Sequence, residues 1–328
     1  MLGSKYLVNK FTRLQKRNRT IYTILFGFLA ILALTDEEIA MSKYVVITES
    51  GCDVPREFVQ KHGVYVAPMH ISFNGTTYDD GTISPSEIFV HYEKSGELPK
   101  TSGCMPGDFL PLLDEINEQH PEAQVIYLAY SSATTCSYES ALIAVKGHPI
   151  ENRFHAFDTR FASAGAAIIV EDVVSFLESK PDVKMDELEA FINDRIDRCR
   201  MAFIPGGLEF LRAGGRLSNT AYLGAQLLRI KPVIEFVDGK LVATKKLRGS
   251  MQKAVNKLVD ECTENREPVD LGRVALIWNE GLDGSLRAEV EHRCRHLGFK
   301  QVNWIETGGV IASHSGPGSF GFVYYVKK

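Results

Sequence analysis

The chain has 328 residues, 45% hydrophobic and 24% charged, with a formal net charge of −4. That is the composition of a globular protein long enough for about two domains and a large buried core. It argues against an extended nucleic-acid surface, which needs clustered Lys and Arg, and the chain has no long like-charge run, low-complexity tract or internal repeat.

Residues 1–40 differ from the rest. Residues 5–19 are basic, 21–34 (IYTILFGFLAILAL) are apolar throughout, and 35–40 are acidic. The apolar run is shorter than the roughly 20 residues of a membrane-spanning helix. No clear small-x-small site follows it, as it would in a secretory signal. Met41 opens MSKYVVITES, a short polar lead into a strand. The fold is therefore expected to start near Met41, with 1–40 an N-terminal extension outside it. The alternative is a membrane anchor at 21–34.

Residues 44–48 (YVVIT) are a short β-branched run of the buried-strand kind. The turn ESGCDVP (49–55) follows, and Pro55 suits the first turn of a helix to about residue 62. Residues 64–73 read as extended. Ser84 as N-cap, Pro85 and Glu87 predict a capped helix ending near Gly96. TSGCMPG (101–107) is a polar loop, after which Phe109, Leu112, Leu113 and Ile116 recur at helical spacing. A strand at 124–129, the polar stretch 130–138, a helix to about 146, a strand at 153–157 and an Ala/Val/Ile-rich helix at 162–177 complete the alternation. Such alternation predicts a parallel sheet with helices on both faces and ligands beyond the carboxyl ends of its strands. The loops at 49–53, 101–104, 131–135 and 158–163 are then expected on one rim.

After an amphipathic helix at 184–200 the pattern changes. A short helix at 208–213 is stopped by Gly214-Gly215-Arg216, and 221–229 is helical. Residues 231–234 and 241–245 flank Asp238-Gly239, a strong hairpin signal. Helices at 251–265 and 285–297 and strands at 273–278 and 301–306 follow. The expected organisation is a parallel α/β domain at 41–200 and a mixed α/β domain at 201–328.

The stretch 311–321 (IASHSGPGSFG) reads as a loop between the strand at 301–306 and a last strand at 322–326. Its glycines allow tight turns and close approach of backbone N–H groups to a ligand. His314 can donate to an anion when its other ring nitrogen is held. One reading is a loop closing over an acidic head group; the plainer one is a glycine turn between strands. Residues 316–321 match G-x-G-x-x-G literally, but a dinucleotide fingerprint needs a following helix and an acidic residue about 20 positions on. There is no P-loop, G-x-S-x-G or H-E-x-x-H. His292 and His296 lie one helical turn apart with Arg on both sides of Cys294, which reads as a solvated helix face, so no metal site is expected. The six cysteines form no C-x-x-C and fit free thiols in a reducing compartment.

Taken together, the motifs resemble the DegV family of bacterial fatty-acid-binding proteins over most of the chain from Lys43 to Val326. Glu49-Ser50-Gly51-Cys52-Asp53-Val54-Pro55 is similar to the family's D-S-T-A-D-L-P, and Thr101-Ser102 to the start of T-S-Q-P. Ser131-Ser132 with Tyr138 is similar to S-S-x-L-S-G-T-Y. Leu208, Leu211 and Gly214-Gly215-Arg216-Leu217 match L-x-x-L-x-x-G-G-R-I/L. Ile230-Lys231-Pro232, Asp238-Gly239, Lys246 and Arg248 match I-K-P…D-G…K-x-R, and His314 with Gly316-Pro317-Gly318 matches H-x-G-P-G. Each piece is weak alone; six in order are specific.

The resemblance implies a two-domain DegV-like α/β fold with an acyl chain buried between the domains. It implies carboxylate contacts from Thr101, Ser131, Ser132, Arg216 and His314, with Ser102, Gly316 and Gly318 supporting the loops, no catalytic residue and no cofactor. It also implies a cytoplasmic carrier that presents a long-chain fatty acid to a separate fatty-acid kinase for acyl-phosphate formation, with only transient membrane contact. Plainer roles exist: the Thr and Ser residues as caps, Arg216 as a helix-end cation, His314 as a structural histidine. Gly103-Cys104 stands where Q-P is usual, Thr134-Thr135-Cys136 where L-S-G is usual, Glu49 where Asp is, and Cys52 where Ala is. Cys52, Cys104 and Cys136 thus fall on three rim loops, either as small fillers or as a lining or redox-sensitive cluster at the head-group end. Rival readings are a hydrolase or phosphotransferase using the same cleft, and a membrane-tethered lipid scavenger.

Overall fold

The structure is a computed structural model that describes residues 43–215, 230–264 and 267–328. The extension expected at 1–40, the helix expected at 221–229 and Arg216 lie outside the described residues. In chain order the elements are β1 (Tyr44–Glu49), α1 (Arg56–His62), β2 (Tyr65–Ala67), β3 (His70–Phe73), β4 (Thr76–Asp79), α2 (Pro85–Ser95), β5 (Lys100–Ser102), α3 (Pro106–Gln119), β6 (Gln124–Ala129), α4 (Ser137–Val145), β7 (Phe154–Asp158) and α5 (Ser163–Ser179). Then come α6 (Met185–Arg198), β8 (Cys199–Ile204), α7 (Leu208–Ala213), β9 (Ile230–Val237), β10 (Lys240–Arg248), α8 (Met251–Glu264), β11 (Val269–Trp278), α9 (Gly284–His296), β12 (Gln301–Glu306), α10 (Gly309–Ser315) and β13 (Phe320–Val326).

Strands β2-β1-β6-β7 form a parallel sheet. Every residue of β1 is buried, as expected of a strand covered on both faces. Val45, Ile47, Val125 and Tyr127 face α3 and α4, while Tyr44, Val46, Ile126 and Leu128 face α5. The six-stranded sheet has the order β10-β9-β8-β13-β11-β12 and is antiparallel except for β11 with β12. Its side chains alternate with period two. Ala202, Ile204, Val274, Leu276, Phe322 and Tyr324 pack with α8 and α9, whereas Met201, Phe203, Ala275, Ile277 and Val323 face α5.

Helix α5 therefore lies between two sheets, which accounts for its apolar, small-residue sequence. A Cβ at Gly165 would fall 2.9 Å from Phe161 Cβ and 3.0 Å from Met201 Sδ, so glycine permits this closeness. The expected mixed α/β fold with a parallel sheet in its first part is present, and residues Lys43–Lys328 form one compact unit. No helix among the described residues is long and apolar enough to cross a membrane.

Local signals worked where the cause is local. Ser84 and Glu87 form the capping box, with Glu87 N donating to Ser84 Oγ at 3.2 Å and Ser84 N to Glu87 Oε2 at 2.8 Å. Asp238 and Gly239 turn the β9–β10 hairpin at φ 50° and 76°. Three expectations are corrected. The helix expected to run to 200 stops at Arg198, and Cys199–Ile204 is the strand β8. The polar loop at 101–107 begins as β5, which pairs with β3 in a three-stranded antiparallel sheet, β4-β3-β5. The glycine-rich loop at 311–321 is preceded and partly replaced by the helix α10.

Candidate functional site

An apolar cavity lies between α5 and the six-stranded sheet, a concave, mostly apolar setting of the kind small-molecule sites use. Met201, Phe203, Phe236, Leu241 and Ile277 form its sheet side. Tyr130 at the end of β6 and Ala162 and Ser163 at the start of α5 form another wall, and α10 closes it with Ile311, His314 and Ser315. These last three are spaced i, i+3, i+4, one face of a helix.

Two carboxylates from the first third of the chain, one buried and one half-buried, hold α10 in place. Asp53, in the left-handed region at φ 51°, accepts from Gly308 N at 2.8 Å and from the Ser163 hydroxyl. Asp80 accepts from Val310 N at 3.1 Å. They satisfy amides that a helix start leaves without partners inside the helix. Burial pushes the Asp53 carboxyl well above the usual carboxylate range and raises Asp80 as well; the hydrogen bonds from Ser163 and Gly308 to Asp53 act the other way but do not prevail.

His314 Nε2 lies 2.7 Å from Thr101 Oγ1, so α10 and β5 bring together two residues 213 positions apart. The ring needs Gly214, where a Cβ would fall 2.1 Å from His314 Nδ1. The first glycine of the G-G-R segment thus makes room for the histidine.

The other expected site residues are placed differently. Ser131 is fully buried and its Oγ donates to Gly239 O at 2.7 Å, tying the rim to the tip of the β9–β10 hairpin. Ser132 Oγ donates to Asp158 Oδ2 at 2.5 Å. Neither lines the cavity, because their donors are engaged by nearer acceptors. Ser102 is exposed on β5, opposite His70. Gly316 and Gly318, at φ 69° and 76°, support the loop, but not by offering N–H groups to a ligand. Gly316 N donates to Ala312 O at 3.0 Å and Gly318 N to Glu280 O at 2.8 Å. A Cβ at Gly206 would fall 1.7 Å from Pro317 O, so the glycines let this loop press against residues 206–207. Asn279 fastens it, donating from Nδ2 to Ser315 Oγ at 3.1 Å and to Gly316 O at 2.8 Å, and accepting from Ser319 N at 2.9 Å.

The cysteines do not line the cavity. Cys52 and Cys104 are fully buried in the core beside β1, and Cys136 is exposed. Burial and then the neighbouring Glu49 push the Cys52 and Cys104 thiols up, away from reactive thiolate. Glu49 is buried too. It accepts from Tyr127 Oη at 2.6 Å and from Tyr130 N at 2.9 Å, which fixes the chain where Tyr130 enters the cavity wall. Sequence reasoning missed Ser163, Thr307, Ser315 and Ser319, all on the wall. Single hydroxyls at strand ends and helix starts carry no spacing signal that separates them from caps.

The family model described as "Uncharacterised protein, DegV family" matches residues 43–327. A DegV domain-containing protein from Caldanaerobacter subterraneus is 25% identical over 294 residues, covering 88% of this chain and 100% of that one. A DegV family protein from Thermus thermophilus, whose structure is described as showing fatty-acid binding, matches with a TM-score of 0.74 at 27% identity, over 87% of this chain and 100% of that one. The fatty acid kinase (Fak) B3 protein of Streptococcus pneumoniae, loaded with linoleic acid, matches with a TM-score of 0.71 at 18% identity over 87% and 100% of the two chains, a likeness of fold.

Proposed function

The chain belongs to the DegV family, and from that premise we propose that it is a carrier that binds a long-chain fatty acid in the cavity between α5 and the six-stranded sheet. One observation carries this reading: an apolar cavity has His314 in its wall, 2.7 Å from the Thr101 hydroxyl. An acyl chain gains about 0.8 kcal/mol per methylene on leaving water, so about 14 methylenes supply roughly 11 kcal/mol gross, ample after the cost of ordering. The carboxylate needs directed donors instead. Thr101 and His314 take that role, with Arg216 as a further donor, while Ser131 and Ser132 hold the rim. The fatty-acid binding described for the Thermus thermophilus relative supports the ligand class.

The carrier works in the cytoplasm without a cofactor, with the ligand between the parallel-sheet part of the fold and the part built on the six-stranded sheet that begins at β8. It hands its carboxylate to a separate fatty-acid kinase, a partner suggested by the likeness to the Fak B3 protein. Organic extraction of the purified protein followed by mass spectrometry is expected to release a long-chain fatty acid. Thr101→Ala and His314→Ala are each expected to weaken fatty-acid binding about tenfold, the size of a lost hydrogen bond to a charged group. An empty protein that binds no fatty acid and turns over an ester or a phosphate would overturn the carrier reading.

A further inference from the structure

Thr307 and Ser319 are polar residues in the wall of the cavity, each about 2% exposed. Among the described residues neither hydroxyl has a hydrogen-bond partner. Their placement follows from the sheet. Glu306 and Phe320 both pair with Trp278, so Thr307 leaves β12 and Ser319 enters β13 on either side of Asn279. The Asn279 carboxamide between them is engaged by Ser315, Gly316 and the Ser319 backbone. A buried hydroxyl without a partner is costly, and a site built around one discriminates strongly for a ligand that satisfies it. Neither hydroxyl bonds to Thr101 or His314, the pair assigned to the head group.

We infer that the cavity selects an oxygenated acyl chain: a long-chain fatty acid bearing a hydroxyl along its length, which Thr307 or Ser319 hydrogen-bonds while the rest of the chain lies on the apolar wall. This deepens the proposed function and rests on it. A plain saturated chain leaves both hydroxyls unsatisfied beside methylenes, whereas a hydroxylated chain satisfies at least one and also shelters its own polar group.

The test is calorimetric titration of the delipidated protein with stearate and with a series of hydroxystearates that differ in hydroxyl position. At least one hydroxystearate is expected to bind about tenfold more tightly than stearate, a difference of about 1.4 kcal/mol. Thr307→Val and Ser319→Ala are expected to reduce that ratio and the double substitution to abolish it, while Thr307→Ser, which keeps the hydroxyl, retains it. Equal affinity for stearate and every hydroxystearate overturns the inference, as does a preference unmoved by the double substitution. The wild-type ratio decides even where a variant fails to fold. Failure of both kinds of acid to bind overturns the proposed function, whereas binding of stearate without a preference overturns only this inference.

Discussion

At Gly214 the constraint is steric. A methyl group there would meet the His314 ring at 2.1 Å, so Gly214→Ala is expected to turn the ring away from Thr101. The expected result is a loss of about 1–3 kcal/mol of stability, the usual cost of overpacking, with weakened fatty-acid binding, read by thermal unfolding and titration. The cysteines make a second test at this scale. Five of the six are buried and Cys136 is exposed. A colorimetric thiol reagent is therefore expected to modify one thiol rapidly in the native protein and the rest only on denaturation. Equal labelling with and without bound fatty acid is expected too, since Cys136 is not on the cavity wall. The pairing of His314 with Thr101 became legible only once several short motifs were set in order. The roles of Ser131 and Ser132 were not legible, because a serine at a strand end looks the same whether it donates to a ligand or to Gly239 O.

Helix α10 is the element on which the site depends, and its capping acids give it a pH signature. The folded-state pKa of Asp53 is raised, chiefly by burial. A carboxyl raised in this way binds its proton more tightly in the folded than in the unfolded chain, so its contribution to stability is full below the ordinary Asp range and is lost as pH rises toward the folded value. The difference in melting temperature between wild type and Asp53→Asn is therefore expected to shift steadily against the wild type as pH is raised from about 4 toward neutrality. A difference independent of pH would contradict this. The same helix shows where sequence reading stopped. The β9–β10 hairpin, the Ser84 cap and most helices announce themselves through neighbours in sequence. The start of α10 is satisfied by Asp53 and Asp80, more than 200 positions away, and within its own residues it looks like a glycine turn. β8 was hidden for a related reason: it follows directly on α6, with no turn residue to mark the change.

Across the whole molecule, a partly buried ion cluster joins the central helix to the large sheet. Arg273 on β11 pairs with Glu171 and, at 3.2 Å, with Asp172, both on α5, and Arg195 on α6 approaches Asp172 at 3.5 Å. Arg273→Ala is expected to cost about 3–5 kcal/mol, because it leaves the buried Glu171 carboxylate without its cation, while Asp172 keeps Arg195; denaturant unfolding measures it. The layered α/β plan was readable from the alternation of strand and helix, but the cavity was not, since its walls come from segments scattered between Tyr130 and Phe320. The order of the large sheet has a consequence for biosynthesis. β13 lies between β8 and β11, so until it has emerged from the ribosome the nascent polypeptide holds two separate strand groups, β10-β9-β8 and β11-β12, with raw edges open to mispairing. A growing chain thus lacks the finished cavity wall, and its strand edges are most exposed in the interval between synthesis of β12 and insertion of β13.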